Sequence, residues 1–150
     1  MQESSAKPTS AGLGEEMGRS VISEALRVIV VDDIPSVRLL LRSTLPLHGI
    51  EVTAEAETGA EALELAKSQQ PDAIVLDIHM PDMNGMDVVS RIKDENPGCK
   101  IVMYSNYDEQ QVQDEAFSRG ADAYVGKLAP VSDVAVALER VCENGSGLPD

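Results

Sequence analysis

DAIVLDIHMPDMNG, residues 72–85, joins an apolar run to a group of polar and turn-forming residues. Its first five residues, 72–76, are rich in branched apolar side chains, which is typical of a strand buried on both faces of a sheet. Asp77 follows at the point where this strand would reach the surface, and a proline and an Asn-Gly pair come after it. A carboxylate there is unusual for a plain structural turn, so its role depends on which other residues the fold brings near it.

The bulk composition indicates a small acidic protein with one core. The chain has 150 residues, of which 43% are apolar, and it contains no Trp and one Phe. This length favours one domain, or one domain and a tail. The net charge of −14 argues against binding nucleic acid or an anionic membrane through the chain's own electrostatic field.

Two further features predict a cytoplasmic protein. No apolar stretch approaches the roughly 20 residues that a membrane-spanning helix needs, and the N-terminus lacks the apolar centre of a signal peptide. Cys99 and Cys142 have neither metal-binding spacing nor the density of a disulfide framework, so we expect free thiols in a reducing compartment.

Apolar runs and helical patterns alternate along most of the chain. Strands are predicted at 27–31, 50–56, 72–76, 100–104 and 122–126. Helices are predicted at 36–45, 59–70, 85–96, 109–119 and 131–143. This alternation favours an α/β fold with a doubly wound, five-stranded parallel sheet. The segment 50–56 alternates apolar and polar residues, so we expect it at a sheet edge with one exposed side.

The same patterns divide the chain into three parts. Residues 1–20 are rich in Ser, Gly, Glu and Ala without a hydrophobic period, which predicts a disordered tail. The folded domain is predicted at 26–144. Residues 145–150 are expected to form a C-terminal tail or the start of a linker.

Polar residues follow each of the four buried strands. In chain order they are Asp32 with Asp33, then Asp77, Ser105 and Lys127. Because the carboxyl ends of parallel strands meet at one edge of the sheet, we expect these residues to lie together there. Helix capping by the acids or by Ser105, and an ordinary surface position for Lys127, are the simpler alternatives.

The chemistry of this group favours phosphoryl transfer. Clustered carboxylates repel one another unless a cation intervenes, and oxygen ligands suit Mg²⁺. A carboxylate can attack a phosphoryl group as a nucleophile, and the reaction needs positioning and charge neutralisation more than it needs acid–base groups. Lys127 and Ser105 would supply a cation and a hydroxyl donor for the phosphoryl oxygens.

Together these residues resemble the receiver domain of bacterial two-component response regulators, the CheY-like family. The matching segments are VVDDIPSVR, VLDIHMPDMNGMDV, IVMYS and GADAYVGK, and the resemblance extends over residues 26–144. Separations of 44, 28 and 22 residues between Asp33, Asp77, Ser105 and Lys127 are those of the family. The resemblance implies a sheet of strand order 2-1-3-4-5, the flavodoxin-like arrangement that CheY also has.

The resemblance also implies a phosphoacceptor and a metal site. Asp77 would be the phosphoacceptor and would also be one of the residues of the metal site. Asp33 would bind Mg²⁺ directly, Asp32 would bind it through water, and the backbone carbonyl of His79 would be a further ligand.

Three more residues receive roles from the resemblance. Ser105 and Lys127 would hold the phosphoryl oxygens. Tyr124 lies three residues before Lys127, where the family carries an aromatic side chain that moves inward as the hydroxyl residue moves toward the phosphoryl group. We expect Tyr124 to be this switch residue, and an exposed strand tyrosine is the alternative.

The implied partners are those of a signalling switch. A histidine kinase or a phosphotransfer protein would donate the phosphoryl group, and phosphorylation would alter the face formed by the fourth helix, fifth strand and fifth helix. An output domain or output protein would recognise that face. We expect a monomer or weak dimer without contact to nucleic acid or membrane through this chain, and at most slow self-phosphorylation and self-dephosphorylation.

Departures from the family pattern leave alternatives. Leu128, not proline, follows Lys127, so no cis peptide is predicted there. Asn106 stands where a small residue is usual, which keeps open a pseudo-receiver that is never phosphorylated. The chain is also compatible with the receiver portion of a NarL-type transcription regulator. An aspartyl phosphohydrolase is disfavoured because His79 stands where its second acid is expected.

His79 and Tyr107 lie two residues beyond Asp77 and Ser105, respectively. Side chains of this size would flank the path of a hydrolytic water. We therefore predict a long-lived phosphoryl state.

Overall fold

Strands and helices alternate along residues 25–145, the part of the chain that the computed structural model describes. The strands are β1 Leu26–Val31, β2 Ile50–Ala56, β3 Ala73–Leu76, β4 Lys100–Ser105 and β5 Ala123–Gly126. The helices are α1 Pro35–Thr44, α2 Gly59–Gln69, α3 Gly85–Glu95, α4 Gln110–Ser118 and α5 Ser132–Gly145, and a 3₁₀ helix, Leu45–His48, follows α1. All ten predicted strands and helices are present, with ends that differ from the predictions by no more than two residues.

The ends of the chain fall largely outside this description. The predicted disordered tail at 1–20 and the residues 146–150 of the predicted C-terminal tail lie outside the described residues. Gly145, where that tail was expected to begin, is the last residue of α5. Among the described residues, no helix combines the length and the apolar character needed to cross a membrane.

The five strands form one parallel sheet in the order β2-β1-β3-β4-β5, which confirms the predicted topology. Val31 at the end of β1 pairs with Leu76 at the end of β3. Ser105 at the end of β4 pairs with Gly126 at the end of β5. The strands therefore reach the same edge of the sheet, and the residues that follow them start there.

Two apolar cores cover the two faces of the sheet. Alternate residues of β1, β3 and β4 pack with α2, α3 and α4 on one face, and the intervening residues pack with α1 and α5 on the other. Ile29 and Val31 belong to the first core, whereas Val28 and Val30 belong to the second. Burial on both faces explains the continuous apolar runs of these strands.

The edge strand β2 departs from the predicted alternation. Its edge position is confirmed, but its apolar residues do not share one side. Ile50 and Val52 pack in the core beneath α1 and α5, whereas Ala54 and Ala56 pack in the core beneath α2 and α3. The pairing of β1 with β2 shifts after Val52 because Thr53 is an additional residue, a β-bulge that reverses the faces of the residues after it.

Local signals fix the start of α2 and the end of α1. The Glu61 amide donates to the Thr58 hydroxyl at 3.1 Å, which is one of the two hydrogen bonds of a capping box. The Glu61 carboxylate accepts at 2.8 Å from the amide of Glu57, the residue before the N-cap. The helix α1 ends two residues before Pro46, which lies in the 3₁₀ helix.

Cys99 and Cys142 are free thiols, and burial raises their pKa to about 12 and about 11, respectively.

Candidate functional site

The polar residues at the strand ends meet at one edge of the sheet. One oxygen from each carboxylate of Asp32, Asp33 and Asp77 lies within 4.8 Å of the others. The Lys127 Nζ lies 2.7 Å from Asp32 Oδ2 and 3.3 Å from Asp77 Oδ2. Ser105 and two of the acids, Asp32 and Asp77, are buried, whereas Asp33 is exposed. The predicted gathering of these residues is therefore present.

The environment of Asp77 opposes its ionisation. The side chain is buried directly after β3, and its Oδ1 accepts a hydrogen bond from the Ile78 amide at 2.8 Å. Burial and the nearby Asp32 carboxylate raise the pKa of Asp77, and the Lys127 ammonium offsets part of this effect. A further cation beside Asp77 would favour its carboxylate form.

Lys127 remains charged between the two buried acids. Burial alone would lower the pKa of Lys127, but its contacts with Asp32 and Asp77 outweigh that cost and raise the pKa. The ammonium also lies 5.8 Å from the centre of the Tyr104 ring. The strand-end lysine is thus held within the acidic group and is not an ordinary surface residue.

Every polar atom of Asp32 has a partner. Its amide donates to the Ala56 carbonyl at 3.0 Å, and its Oδ1 accepts from the Ile34 amide at 3.0 Å. Its carbonyl accepts from the Arg38 guanidinium at 2.6 Å, and its Oδ2 bonds to Lys127. Ile34 is the N-cap of α1 without a side-chain cap, so helix capping does not explain the acidic pair.

The loop between β3 and α3 depends on Gly85. The Gly85 amide donates to the Ile78 carbonyl at 2.6 Å. A Cβ atom at Gly85 would lie 2.3 Å from the Asp77 carbonyl oxygen and 2.7 Å from the Ile78 Cα, so only glycine fits. Asn84 caps α3 by accepting from the Met86 amide at 2.7 Å. The Asn-Gly pair therefore lets α3 start immediately beside the main chain of Asp77.

Asp82 ties this loop to the start of α2. Its carboxylate accepts from the amides of Gly59 and Ala60 at 2.7 and 3.0 Å, and these two hydrogen bonds lower the pKa of Asp82. In the sequence, Asp82 is one of the polar and turn-forming residues that follow Asp77. Its contact with a distant helix N-terminus has no local signal, because the partners lie more than twenty residues away.

The loop after β4 contains a tyrosine that contacts three functional candidates. The Tyr107 amide donates to the Ser105 hydroxyl at 3.0 Å. The Tyr107 ring stacks on His79 with centroids 5.0 Å apart, and its hydroxyl lies 2.9 Å from His79 Nε2. The Tyr107 carbonyl accepts a hydrogen bond from the Tyr124 hydroxyl. Tyr124 is half-buried, which disagrees with the alternative of an exposed strand tyrosine.

Ser105 does not cap the following helix. The N-cap of α4 is Glu109, which makes no side-chain cap hydrogen bond. The Ser105 hydroxyl is instead buried at the acidic edge, and Asn106 beside it is exposed.

Comparison with known families identifies the fold and its class. The family model of the response regulator receiver domain matches residues 28–139. The chain belongs to this family. It is 37% identical to the chemotaxis protein CheY of Thermotoga maritima over 115 residues, which cover 77% of this chain and 96% of that protein. It is 34% identical to the response regulator protein VraR of Staphylococcus saprophyticus over 81% of this chain but 58% of that protein.

A solved structure supports the same assignment. The signal receiver domain of the putative response regulator NarL from Mycobacterium tuberculosis superposes with a TM-score of 0.74 at 30% identity, over 84% of this chain and all of that one. The predicted CheY-like receiver fold is confirmed. Receiver domains are signalling domains of two-component systems and not classical enzymes, and phosphorylation and Mg²⁺ are inherent to the family.

The acidic residues of this receiver domain fit a magnesium ion. Asp32, Asp33 and Asp77 offer only carboxylate oxygens, which are hard ligands, and two of the three are buried. Burial and, to a lesser extent, repulsion by Asp32 raise the pKa of Asp77, and a divalent cation would also relieve that repulsion. The assignment of the His79 backbone carbonyl as a further ligand stays a prediction.

Sequence patterns missed one residue of this receiver domain that touches the acidic group. Arg38 on α1 bonds to the Asp32 carbonyl and to Glu55 on β2. Its position in the segment VVDDIPSVR, one turn into the helix after the acidic pair, was the available signal.

Proposed function

We propose that this receiver domain is a phosphorylation-controlled switch in which Asp77 accepts a phosphoryl group from a histidine kinase or a phosphotransfer protein in a Mg²⁺-dependent step. The observation that carries the proposal is the position of the Lys127 ammonium, 2.7 Å from Asp32 and 3.3 Å from Asp77, at the edge where Ser105 is also buried. A phosphoryl group on the Asp77 carboxylate would carry negative charge, and a positively charged group beside that carboxylate would neutralise it.

The chemistry of the step follows from the donor. A carboxylate oxygen of Asp77 attacks the phosphorus atom of a phosphohistidine, an O–P bond forms, and the P–N bond breaks with its electron pair left on the imidazole nitrogen. The product on Asp77 is an acyl phosphate. Lys127 and Ser105 would each donate a charge-assisted hydrogen bond to its negatively charged phosphoryl oxygens.

A metal ion would be held by the carboxylates of Asp32, Asp33 and Asp77. When bound, Mg²⁺ supplies positive charge that offsets the negative charge of the phosphoryl group and the three acids. Asp33 is the exposed member of the three and offers its carboxylate to a cation that arrives from solvent.

The output would be transmitted through Ser105 and Tyr124. A phosphoryl group that draws the Ser105 hydroxyl toward it disturbs the Tyr107 amide bound to that hydroxyl, and the Tyr107 carbonyl is bonded to Tyr124. Tyr124 and Phe117 line a groove of about 650 Å³ on the face of α4, β5 and α5. We propose that phosphorylation shifts the population of conformations at this face toward the one that the output partner recognises.

Two other functions compete with this proposal. An aspartyl phosphohydrolase would need a second acid two residues after the nucleophile, where this chain has His79, whose ring stacks on Tyr107. A pseudo-receiver would use the same fold as an interaction module without phosphorylation. The charged Lys127 between two buried acids favours the switch over the pseudo-receiver.

The proposal is tested by intact-mass measurement after incubation with acetyl phosphate, with and without Mg²⁺. The variants are Asp77→Asn and, as a matched control, Asp94→Asn, which changes an exposed acid on α3. We expect a mass gain of one phosphoryl group in the wild type and in Asp94→Asn, only with Mg²⁺, and none in Asp77→Asn. If the wild type stays unmodified with acetyl phosphate and with a panel of phosphorylated histidine kinases, the pseudo-receiver is correct.

A further inference from the structure

Arg38 makes polar contacts that reach from the edge strand to the acidic residues. It lies on α1, and its side chain is only 12% exposed. Its Nη1 donates to the Asp32 carbonyl oxygen at 2.6 Å, and its Nε donates to Glu55 Oε1 at 3.1 Å. The second carboxylate nearby, on Glu57, lies 3.7 Å from Nη2. The guanidinium therefore contacts one acid on β2 and one directly after it, and it also bonds to the main chain after β1.

Arg42 shows what an ordinary ion pair at this place looks like. It lies one turn further along α1 and pairs with the same residue, Glu55, at 2.5 Å. Its side chain is 50% exposed, and it bonds to Glu55 and not to the main chain beside the acids. Both arginines therefore share the carboxylate of Glu55, but of the two Arg38 is the one bonded to Asp32.

The bonded carbonyl has a special position in the chain. It belongs to the peptide unit that joins Asp32 to Asp33, so its direction sets the orientation of the plane between the two acids. The Asp32 side chain is also fixed by the Ile34 amide and Lys127. The Asp33 side chain is exposed, and its placement depends on the orientation of this peptide plane.

We propose that Arg38 is a positioning residue for the metal ion, acting through the Asp32–Asp33 peptide unit, with Glu55 as the group that keeps its guanidinium in place. The inference rests on the proposed function, because it assumes that Asp33 binds Mg²⁺. Groups that orient metal ligands in this indirect way alter metal affinity by about 10- to 100-fold when they are removed. A planar guanidinium with donors in a fixed geometry suits the double task of bonding a carbonyl and a carboxylate.

The test compares Arg38→Gln with Arg42→Gln. Both variants remove one positive charge and one ion pair to Glu55, and Arg38→Gln also removes the bond to Asp32 and the contact with the exposed Glu57. The dissociation constant of Mg²⁺ alone is measured by isothermal titration calorimetry on the folded protein, and the backbone amide resonance of Asp33 is recorded in metal-free buffer. We expect Arg38→Gln to weaken Mg²⁺ binding by about tenfold or more and to shift the Asp33 resonance. Arg42→Gln should change the affinity by less than about twofold, as expected for an exposed pair.

Two further variants keep the result interpretable. Arg38→Lys retains the charge but not the planar group, and we expect it to restore only part of the affinity. If Arg38→Gln does not fold, Glu55→Ala provides the second measurement, because it leaves Arg38 in place but removes the carboxylate that accepts from its Nε. Glu55→Ala should then weaken Mg²⁺ binding more than Arg42→Gln does.

The outcomes separate this inference from the function on which it rests. Equal Mg²⁺ affinities in Arg38→Gln and Arg42→Gln, with binding intact in the wild type and lost in Asp33→Asn, would overturn the role of Arg38 alone. Absence of Mg²⁺ binding in the wild type would overturn both the metal-dependent function and the positioning role.

Discussion

The hydroxyl of Tyr107 lies 2.9 Å from Nε2 of His79, and the two rings are stacked with an interplanar angle of 29°. This contact joins the loop after β3 to the loop after β4. Asp77 and Ser105 each lie two residues before one of the partners. The paired rings therefore bridge the two loops that follow the proposed phosphoacceptor and the proposed phosphoryl-binding hydroxyl.

Removal of the Tyr107 ring should shorten the life of the phosphoryl group. We expect Tyr107→Ala to accelerate loss of the phosphoryl group by about tenfold, which corresponds to about 1.4 kcal/mol of activation free energy, because the ring no longer excludes water. The rate is measured by following the intact mass after removal of acetyl phosphate. Tyr107→Phe is the control, because it keeps a ring but loses the hydroxyl contact with His79. Equal lifetimes in the wild type and Tyr107→Ala would contradict the prediction.

Gly85→Ala should destabilise the fold and distort the site. A Cβ atom would lie 2.3 Å from the Asp77 carbonyl oxygen, so the main chain of the loop or of Asp77 has to move. We expect the free energy of unfolding in urea to fall by about 1–3 kcal/mol or more, as overpacking does. A Cβ atom at Gly98 would lie 3.9 Å from Asn96 Oδ1, an ordinary contact distance, so Gly98→Ala should change the free energy of unfolding by less than about 0.5 kcal/mol. Similar losses at both positions would argue against the close approach at Gly85.

The charge on Asp77 should cost stability at neutral pH. Burial and Asp32 raise its pKa in the folded state above the ordinary value of 3.8, so the folded protein binds this proton more tightly than the unfolded chain does. Below the ordinary pKa, ionisation of Asp77 does not lower the free energy of unfolding. The free energy of unfolding falls as the pH rises through the higher, folded-state pKa. Asp77→Asn should therefore be more stable than the wild type at pH 7, and this advantage should vanish toward pH 3.

The measurement for Asp77 is urea unfolding across this pH range in metal-free buffer that contains EDTA. The exposed-acid variant Asp94→Asn should show no such change of advantage with pH. A wild type more stable than Asp77→Asn at pH 7 would mean that the attraction of Lys127 exceeds the costs of burial and of Asp32.

The hydroxyl of Tyr124 should fix the loop after β4. Tyr124→Phe removes the donor to the Tyr107 carbonyl, and we expect the free energy of unfolding to fall by about 1 kcal/mol. The amide resonances of Asn106 and Tyr107 should also broaden or shift. Tyr104→Phe on the neighbouring strand is the control, because the Tyr104 ring lies near Lys127 and not at this carbonyl. Unchanged resonances in Tyr124→Phe would show that the loop is held without this bond.

The sequence predicted which residues form the site better than it predicted their contacts. Asp32, Asp77, Ser105 and Lys127 were predicted to meet because each ends a buried strand, and parallel topology alone brings strand ends together. Their partners depend on side-chain directions that periodicity does not contain. Asp82 bonds amides more than twenty residues away.

The edge strand shows most clearly why the rest could not be predicted. A regular alternation at 50–56 would place Ile50, Val52 and Ala54 on the same side. The extra residue Thr53 changes the side of everything after it, and no pattern of apolar residues marks its position. The contact of Arg38 with Glu55 lies beyond this bulge and was missed for that reason.

The bulge has a consequence for how this chain tolerates insertions and deletions. After Thr53, Glu55 pairs with Val30, which packs in the core on the α1 side of the sheet. If Thr53 were kept but paired regularly with Ile29, Glu55 would pair with Val31 and point to the opposite helices. If Thr53 were deleted, Ile29 would still face Ala54 and Val30 would still face Glu55. A lineage could therefore gain or lose this one residue and keep the anchor of Arg38, as long as the extra residue is left unpaired. The pairing of Glu55 with Val30, and not the length of the edge strand, would then be inherited as part of the metal site.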